Sequence, residues 1–228
     1  MDPRGHIRFR DRRDAGTRLG EALEAAYGGK AVVVLGIPRG GVPVAAEVAQ
    51  RLDSELDVIV ARKLGAPISR ELAIGAVTAN GGRFLNEALI GELHVPQAYL
   101  ARVTAEEMAE ARRREACFRG PRPMALLAGR VVIVVDDGLA TGATMRAAVR
   151  AVRTQHPAKI VVAVPVGAPE ACAALREEAD EVVCLLEPEA LRAVGLHYEH
   201  FEPTEDAEVQ EILERWHAER REAPTPAG

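Results

Sequence analysis

Two adjacent carboxylates, Asp136 and Asp137, follow an uninterrupted apolar run and precede a stretch of small residues and hydroxyls. The run, residues 131–135, is entirely β-branched, which is typical of a central parallel strand buried on both faces. The stretch 138–144 reads GLATGAT and leads into a helix-forming sequence rich in Ala and Arg. In open α/β sheets, ligands bind beyond the carboxyl ends of strands, often against the N-terminus of the next helix. This order of residues therefore predicts a ligand site.

The residue types in this stretch suit two different parts of one ligand. Backbone N–H groups and hydroxyls at Thr141, Gly142 and Thr144 favour an anion, such as a phosphate. Asp136 and Asp137 would repel a phosphate, so they suit sugar hydroxyls or a bridging Mg²⁺. The alternative interpretation is a solvated acidic turn in which Thr141 or Thr144 is a simple helix N-cap.

The complete string VVIVVDDGLATGAT resembles the phosphoribosyl-diphosphate (PRPP) motif of the type I phosphoribosyltransferases. Gly138 departs from the pattern, because a larger apolar residue is usual there. The resemblance implies transfer of a 5-phosphoribosyl group from PRPP to a nitrogen acceptor, with release of pyrophosphate and with Mg²⁺ as cofactor. It assigns ribose and 5′-phosphate binding to Asp136, Asp137, Gly138, Leu139, Ala140, Thr141, Gly142, Ala143 and Thr144.

A second loop, Pro38-Arg39-Gly40-Gly41, follows a predicted strand over residues 31–37. Pro43 then suits the first turn of a helix, so the loop has the form of an anion cradle. Alone the signal is weak, since an ordinary strand-to-helix turn also uses paired glycines. The family resemblance places the pyrophosphate-binding loop here. It also implies a cis peptide bond at Pro38–Arg39, which would turn successive N–H groups toward one anion.

Arg62 and Lys63 follow a predicted second strand over residues 58–61. By analogy with basic residues at this place in the family, we expect both to contact the diphosphate. Asp136, Asp137, Arg39 and Lys63 are thus the predicted catalytic residues. Residues 72–85 have the pattern of a β-hairpin, which the resemblance interprets as a mobile lid that excludes water.

Residues 187–204 concentrate aromatic and histidine side chains after the last predicted strand. The family carries a variable hood in this position, which holds the acceptor, and an aromatic ring such as Tyr198 or Phe201 is suited to stacking on a flat base. His197 and His200 have a metal-ligand spacing, but no third ligand is evident. Ala140 occupies the position where enzymes for 6-oxopurines carry an additional acid. The sequence therefore favours a nucleobase other than a 6-oxopurine, or a non-base acceptor.

Strands that alternate with helices along the chain predict an α/β fold, with a mostly parallel central sheet and helices on both faces. We expect residues 1–228 to form a single phosphoribosyltransferase-like domain. Its core would cover about residues 14–186, its hood about 187–204 and its closing amphipathic helix about 205–221. The hairpin would add a small lid to this core.

Composition and charge indicate which classes of partner to expect. The net charge of -5 gives no sign of a nucleic-acid or membrane partner, although residues 4–13 carry five arginines. Three scattered cysteines, no signal peptide and no long apolar run favour a cytoplasmic location. We expect PRPP and a small-molecule acceptor as ligands, and a homodimer. The alternative is a non-catalytic regulatory protein of the same fold that senses PRPP or a nucleotide.

Overall fold

The computed structural model describes residues 8–222, except for the side chains of Glu71, Arg221 and Glu222. The strands are β1 (Val32–Gly36), β2 (Glu55–Val58), β3 (Ala61–Ala66), β4 (Ser69–Thr78), β5 (Arg83–Leu85), β6 (Val131–Val135), β7 (Lys159–Val166) and β8 (Glu181–Leu186). The α-helices are α1 (Arg12–Tyr27), α2 (Gly41–Leu52), α3 (Glu87–Glu92), α4 (Gln97–Arg119), α5 (Ala143–Arg153), α6 (Pro169–Arg176) and α7 (Asp206–Glu222). A short 3-10 turn, Val194–His197, lies between β8 and α7.

The central sheet has five parallel strands in the order β2-β1-β6-β7-β8. Its central strands are apolar throughout because helices cover both faces, as parallel crossovers require. Val34 and Ile133 pack with α1, α2 and α7 on one face, whereas Leu35 and Val134 pack with α5 and α6 on the other. This alternation follows from the two-residue period of a strand. The predicted fold class is confirmed.

A second, antiparallel sheet of three strands, β3-β4-β5, packs against α4 and α5. The predicted hairpin is present as β4 and β5, with Thr78 N–H donating to Gly82 O across the turn at 2.8 Å. The turn rests on α5, since a Cβ at Gly82 would lie 2.6 Å from the Cα of Ala151.

The predicted second strand is displaced along the sequence. The parallel strand ends at Val58, and Arg62 and Lys63 lie within β3 of the antiparallel sheet rather than at the carboxyl end of β2. The apolar residues Val58 to Ala61 look like one strand in the sequence, but they cross from one sheet to the other. Asp57 stays in the buried strand because Arg119 donates to its Oδ1 at 2.9 Å.

The segment after β8 folds back on the start of the chain. Phe9 forms a parallel bridge with Tyr198, and its N–H donates to His197 O at 2.9 Å. Both aromatic side chains are buried. No helix within residues 8–222 is long and apolar enough to cross a membrane. The single-domain organisation remains a prediction.

Candidate active site

The candidate site lies where the loops after β1 and β6 meet. The two strands are neighbours, and the chain leaves β1 toward β2 on one side and β6 toward β7 on the other. This is a topological switch point, where open α/β sheets form a crevice beyond the carboxyl ends of the strands. The start of the first loop is joined to the end of β6, because Ile37 N–H donates to Val135 O at 2.9 Å.

The acidic pair Asp136 and Asp137 stands at this edge, partly enclosed. The Oδ1 atom of Asp136 accepts the N–H of Asp137 at 2.8 Å. Burial raises the pKa of Asp136 well above its usual range, and the charge of Asp137 adds to that effect. Burial also raises the pKa of Asp137. Two desolvated acids side by side favour a ligand that supplies hydroxyl donors or positive charge.

Arg12, at the start of α1, supplies positive charge from within the protein. Its Nε donates to Asp137 Oδ2 at 2.8 Å, and this pair is mostly shielded from solvent. Its guanidinium also donates to the carbonyl of Glu202 at 2.7 Å and lies 3.9 Å from the ring centroid of Phe201. Arg12 was not among the predicted site residues, because no local pattern distinguishes it from the other arginines of residues 4–13.

The loop at Pro38–Arg39 has the predicted cis peptide bond. Its glycines permit a close approach to the acids. A Cβ at Gly41 would lie 2.7 Å from Val135 O and 2.9 Å from the Cα of Asp136, and a Cβ at Gly40 would collide with Asp137 Oδ2.

Arg39 lies beside the start of α7. Its guanidinium is 3.5 Å from carboxylate oxygens of Glu205 and Asp206. All three side chains are substantially exposed, so the contacts are open to competition by an anion.

The loop 138–142 delivers the N-terminus of α5 to the same edge. Gly142 takes a left-handed conformation with φ of 74° as the N-cap residue, and having no side chain it leaves the first N–H groups of the helix uncapped. Thr141 is exposed and Thr144 is partly exposed at the start of the helix. Gly40 is likewise the N-cap residue of α2. The uncapped N-terminus of α5 thus lies beside the acidic pair and favours an anion. The first two N–H groups of α2 instead donate to the carbonyls of Ile37 and Arg39.

Leu139, within this loop, anchors it to the sheet. Its N–H donates to Val166 O at 2.9 Å, and it forms a bridge with Gly167. Ala140 is exposed and carries no acid. At Gly138, a Cβ would collide with Cγ1 and approach Cγ2 of Val194 to 2.6 Å. Val194, in the segment 187–204, therefore packs directly on the backbone of Gly138 and leaves no room there for a larger residue.

Arg62 and Lys63 line a cavity of about 420 Å³ between β3 and α4, which reaches Thr144. Arg62 Nε donates to Glu107 at 2.9 Å, whereas Lys63 is exposed and close enough to lower the pKa of Asp136. Arg70 and Arg102 add two further cations to the wall. Glu106 and Glu107 offset two of the four cations, so the lining keeps a net positive charge, and the cavity reaches the N-terminus of α5 at Thr144.

The predicted acceptor residues lie in a cluster of rings. Tyr198 is 4% exposed, with its ring 5.5 Å from Phe9 and 4.8 Å from Phe201, and its hydroxyl donates to Asp137 O at 2.6 Å. Burial raises the pKa of Tyr198. This residue holds the backbone of the acidic pair. Stacking of an acceptor on Tyr198 or Phe201 remains a prediction.

The acidic pair fits Mg²⁺. Each carboxylate uses one oxygen in the hydrogen bonds above and has a second, and hard oxygen donors are what Mg²⁺ prefers. Among residues 8–222, the one group of three or more metal-ligating side chains lies elsewhere, and it does not include His197 or His200. A magnesium ion here would complete its coordination with substrate oxygens and water, as it commonly does.

Comparison with known proteins identifies the family. A family model described as a phosphoribosyl transferase domain matches residues 12–199. Proteins of two Mycobacterium tuberculosis strains, each named "Putative phosphoribosyl transferase", are 46% identical over 215 residues, which is 94% of this chain. These matches cover 48% of the relatives' sequences, so the chain spans about half their length.

Solved structures show the same architecture. The crystal structure of TT1426 from Thermus thermophilus is 47% identical, with a TM-score of 0.79 over 92% of this chain and 99% of that one. The AQ2163 protein from Aquifex aeolicus is 15% identical, with a TM-score of 0.51 over 81% of this chain and 78% of that one. The second likeness concerns the fold alone.

Proposed function

This chain belongs to the phosphoribosyl transferase family, and on that premise we propose that it transfers a 5-phosphoribosyl group from PRPP to a nitrogen acceptor in a Mg²⁺-dependent reaction. The observation that carries the proposal is that the uncapped N-terminus of α5, the loop 38–41 with its Arg39 cation, and a desolvated acidic pair meet at one switch point. A ligand with phosphates at both ends and hydroxyls between them, such as PRPP, is complementary to this arrangement.

Each group has a proposed role in holding PRPP. The 5′-phosphate binds the N–H groups and hydroxyls of residues 141–144, and the ribose hydroxyls donate to Asp136 and Asp137. The diphosphate binds the loop 38–41, Arg39 and Lys63, with Arg62 next to them. Arg12 favours the ionised form of Asp137, since the guanidinium opposes the effect of burial, which raises the pKa of this carboxyl.

The reaction breaks the bond between ribose C1 and the diphosphate oxygen, and it forms a bond from C1 to the acceptor nitrogen, which loses its proton. Positive charge that develops on the ribosyl ring is stabilised by the nearby carboxylates, and negative charge on the leaving diphosphate by Arg39 and Lys63. Mg²⁺, when bound, would neutralise the diphosphate further. The side chains therefore act mainly by position and charge.

We propose a nucleobase as the acceptor, and the loop disfavours a 6-oxopurine. Position 140, where the family resemblance expects an acid in enzymes for 6-oxopurines, is an exposed alanine. A group suited to proton transfer at a 6-oxopurine is absent from this position of the loop. Adenine-like, pyrimidine and non-base acceptors are consistent with it.

Calorimetry and turnover test the proposal. PRPP with Mg²⁺ should bind the protein, and the doubly substituted Asp136→Asn/Asp137→Asn variant should lose that binding. At a hundredfold excess over Kd, bound PRPP should stabilise the fold by about 2.7 kcal/mol. A panel of nitrogen acceptors is then screened for pyrophosphate release. Asp53→Asn is the matched control, since this aspartate lies in a left-handed turn at the end of α2, where asparagine is accepted.

The outcomes separate the alternatives. Loss of PRPP binding in the acidic-pair variant with retention in the control supports the site, and pyrophosphate release with one acceptor class supports the reaction. Equal PRPP affinity in the wild type and the acidic-pair variant would overturn the site. Binding without turnover on any acceptor would overturn the catalytic function.

A further inference from the structure

Two cysteines and a glutamate lie close together, next to the loop that follows the acidic pair. Cys172 lies on α6, Cys184 on β8, and Glu187 directly follows β8. The two Sγ atoms and a Glu187 carboxylate oxygen all lie within 4.8 Å of one another. Both cysteines are free thiols.

The backbone of Gly167 is what allows the two sulfurs to approach. A Cβ at this position would lie 2.6 Å from Cys172 Sγ and 3.2 Å from Cys184 Sγ. Gly167 N–H donates to Leu186 O at 3.0 Å, which joins the end of β7 to the end of β8. The residues are therefore brought together by the parallel sheet and by the first turns of α6, not by a local sequence motif.

The ligand chemistry is that of a thiophilic divalent cation. Zinc binds thiolates at about 2.3 Å and carboxylates at about 2.0–2.2 Å in tetrahedral sites. Ligand atoms around such an ion lie roughly 3.5–3.8 Å apart, so the upper bound of 4.8 Å here requires only small side-chain adjustments. Two sulfurs favour zinc over Mg²⁺, which prefers oxygen.

Exposure and charge around the cluster suit an ion. Cys172 is buried, Cys184 is half-buried and Glu187 is exposed, so an ion can enter from the Glu187 side. Arg176 contacts the Glu187 carboxylate, and its charge also acts on both sulfurs. Two thiolates, one carboxylate, a divalent ion and this guanidinium together carry no net charge.

We propose that Cys172, Cys184 and Glu187 form a Zn²⁺ site with water as the fourth ligand. The bound ion stabilises the neighbouring loop 138–142. The link to that loop is direct. Leu139 bridges Gly167, and a Cβ at Gly142 would lie 3.6 Å from Cβ of Ala171, next to Cys172. Structural zinc contributes folding free energy, so the bound ion should raise Tm.

The test uses tag-free protein that has been stripped with EDTA and kept reduced. Zn²⁺ binding is measured by calorimetry, and Co²⁺ serves as the spectroscopic probe of a tetrahedral site with thiolate ligands. The wild type should bind one Zn²⁺ per chain and give the intense visible bands of tetrahedral Co²⁺. Cys184→Ser and Glu187→Gln should each weaken binding at least tenfold.

Cys117→Ser is the matched control, because this cysteine is exposed on α4, outside the cluster. It should bind zinc as the wild type does. Thermal melts without metal verify that each variant is folded before the titration. PRPP is absent throughout, so the result does not depend on the proposed transferase activity.

Three results would overturn the zinc site. The first is no stoichiometric binding by the folded wild type, and the second is equal binding by the Cys184→Ser variant. The third combines two observations. The protein gives no Co²⁺ spectrum, and mild oxidation removes two thiols from it only when both Cys172 and Cys184 are present. That last pattern would assign the pair to a reversible disulfide instead.

Discussion

Arg12 and Asp137 are 125 positions apart in the sequence, yet the Nε of one donates to the Oδ2 of the other at 2.8 Å. The arginine comes from the first turn of α1 and the aspartate from the end of β6. Because Asp137 is desolvated and next to a second acid, its charge depends on this partner. Arg12 therefore belongs to the site as a positioning residue for the acidic pair.

Replacement of Arg12 tests that role. Arg12→Met keeps much of the side chain's length and removes its charge, which leaves Asp137 enclosed without a cation. We expect the free energy of unfolding at pH 7 to fall by about 2–3 kcal/mol. Chemical denaturation measures it. Arg113→Met is the control, since that exposed guanidinium pairs with Glu110 on the surface of α4, where such pairs contribute about 0–1 kcal/mol. Equal losses in the two variants would contradict the role of Arg12.

The pH dependence of stability should report the acidic pair. Asp136 has a raised pKa in the folded state, so between its unfolded and folded pKa values the native chain holds a proton that the unfolded chain has released. Stability from this group is therefore present at low pH and is lost as the pH rises. Asn at position 136 removes that loss and can still accept the N–H of Asp137.

We therefore expect Asp136→Asn to be more stable than the wild type at pH 7, with the difference shrinking toward pH about 4. Taking the difference between the two proteins cancels the titration of more distant groups. The measurement is a series of denaturation curves across this range. A difference that does not change with pH would show that burial of Asp136 is not costly. The same variant should lose PRPP affinity.

The contact between Gly138 and Val194 predicts a compensating pair. Gly138→Ala should destabilise the protein by about 1–3 kcal/mol, because its Cβ would overlap the Val194 side chain. Adding Val194→Ala should restore part of that loss, with a coupling of about 1 kcal/mol in the double-mutant cycle.

Gly91→Ala is the control for this cycle. A Cβ at Gly91 meets no atom within 4 Å, and the residue lies within α3, where alanine is the better helix former. Its substitution should be neutral or slightly stabilising. Strictly additive effects of Gly138→Ala and Val194→Ala would contradict the packing of Val194 on Gly138.

Arg39 should bind a diphosphate more tightly when its carboxylate neighbours are neutral. Glu205→Gln/Asp206→Asn removes two charges 3.5 Å from the guanidinium. We expect PRPP affinity to rise several-fold at low salt, with the gain shrinking as ionic strength increases. Glu208→Gln is the control, since this exposed glutamate lies within α7, and it should change affinity less. Calorimetry at two salt concentrations measures this, and unchanged affinity would place the diphosphate away from Arg39.

The elements and the acidic edge were predictable from the sequence because each depends on neighbours in the chain. The β-branched run before Asp136 specifies a buried strand, and Gly-Gly after Arg39 specifies a tight turn into a helix. The parallel sheet, the hairpin and the cis bond at Pro38–Arg39 all agree with the expectation.

Other parts depend on contacts that no local pattern encodes. Arg12 is one of several arginines in its segment, and only the fold determines that it faces Asp137. The prediction of a strand over residues 58–61 was wrong, because a run of four apolar residues does not show where the chain crosses from one sheet to the other. Tyr198 is an aromatic residue of the kind that stacks on a flat base, yet its hydroxyl donates to the backbone carbonyl of Asp137.

The bridge between Phe9 and Tyr198 has a consequence for the order of assembly. Strands β1 and β6 lie within the first two thirds of the chain and can pair without its last third. Arg12 and the segment 187–204, however, are held together by hydrogen bonds between the first and last thirds of the chain. We expect contacts that close such long loops to form late in folding, because closing a longer loop costs more conformational entropy. The ion pair between Arg12 and Asp137 is therefore expected to form last. Partial opening of the N-terminal segment would detach the arginine and the hood in one cooperative step, which hydrogen exchange at Phe9 and Glu199 would register as a shared opening free energy.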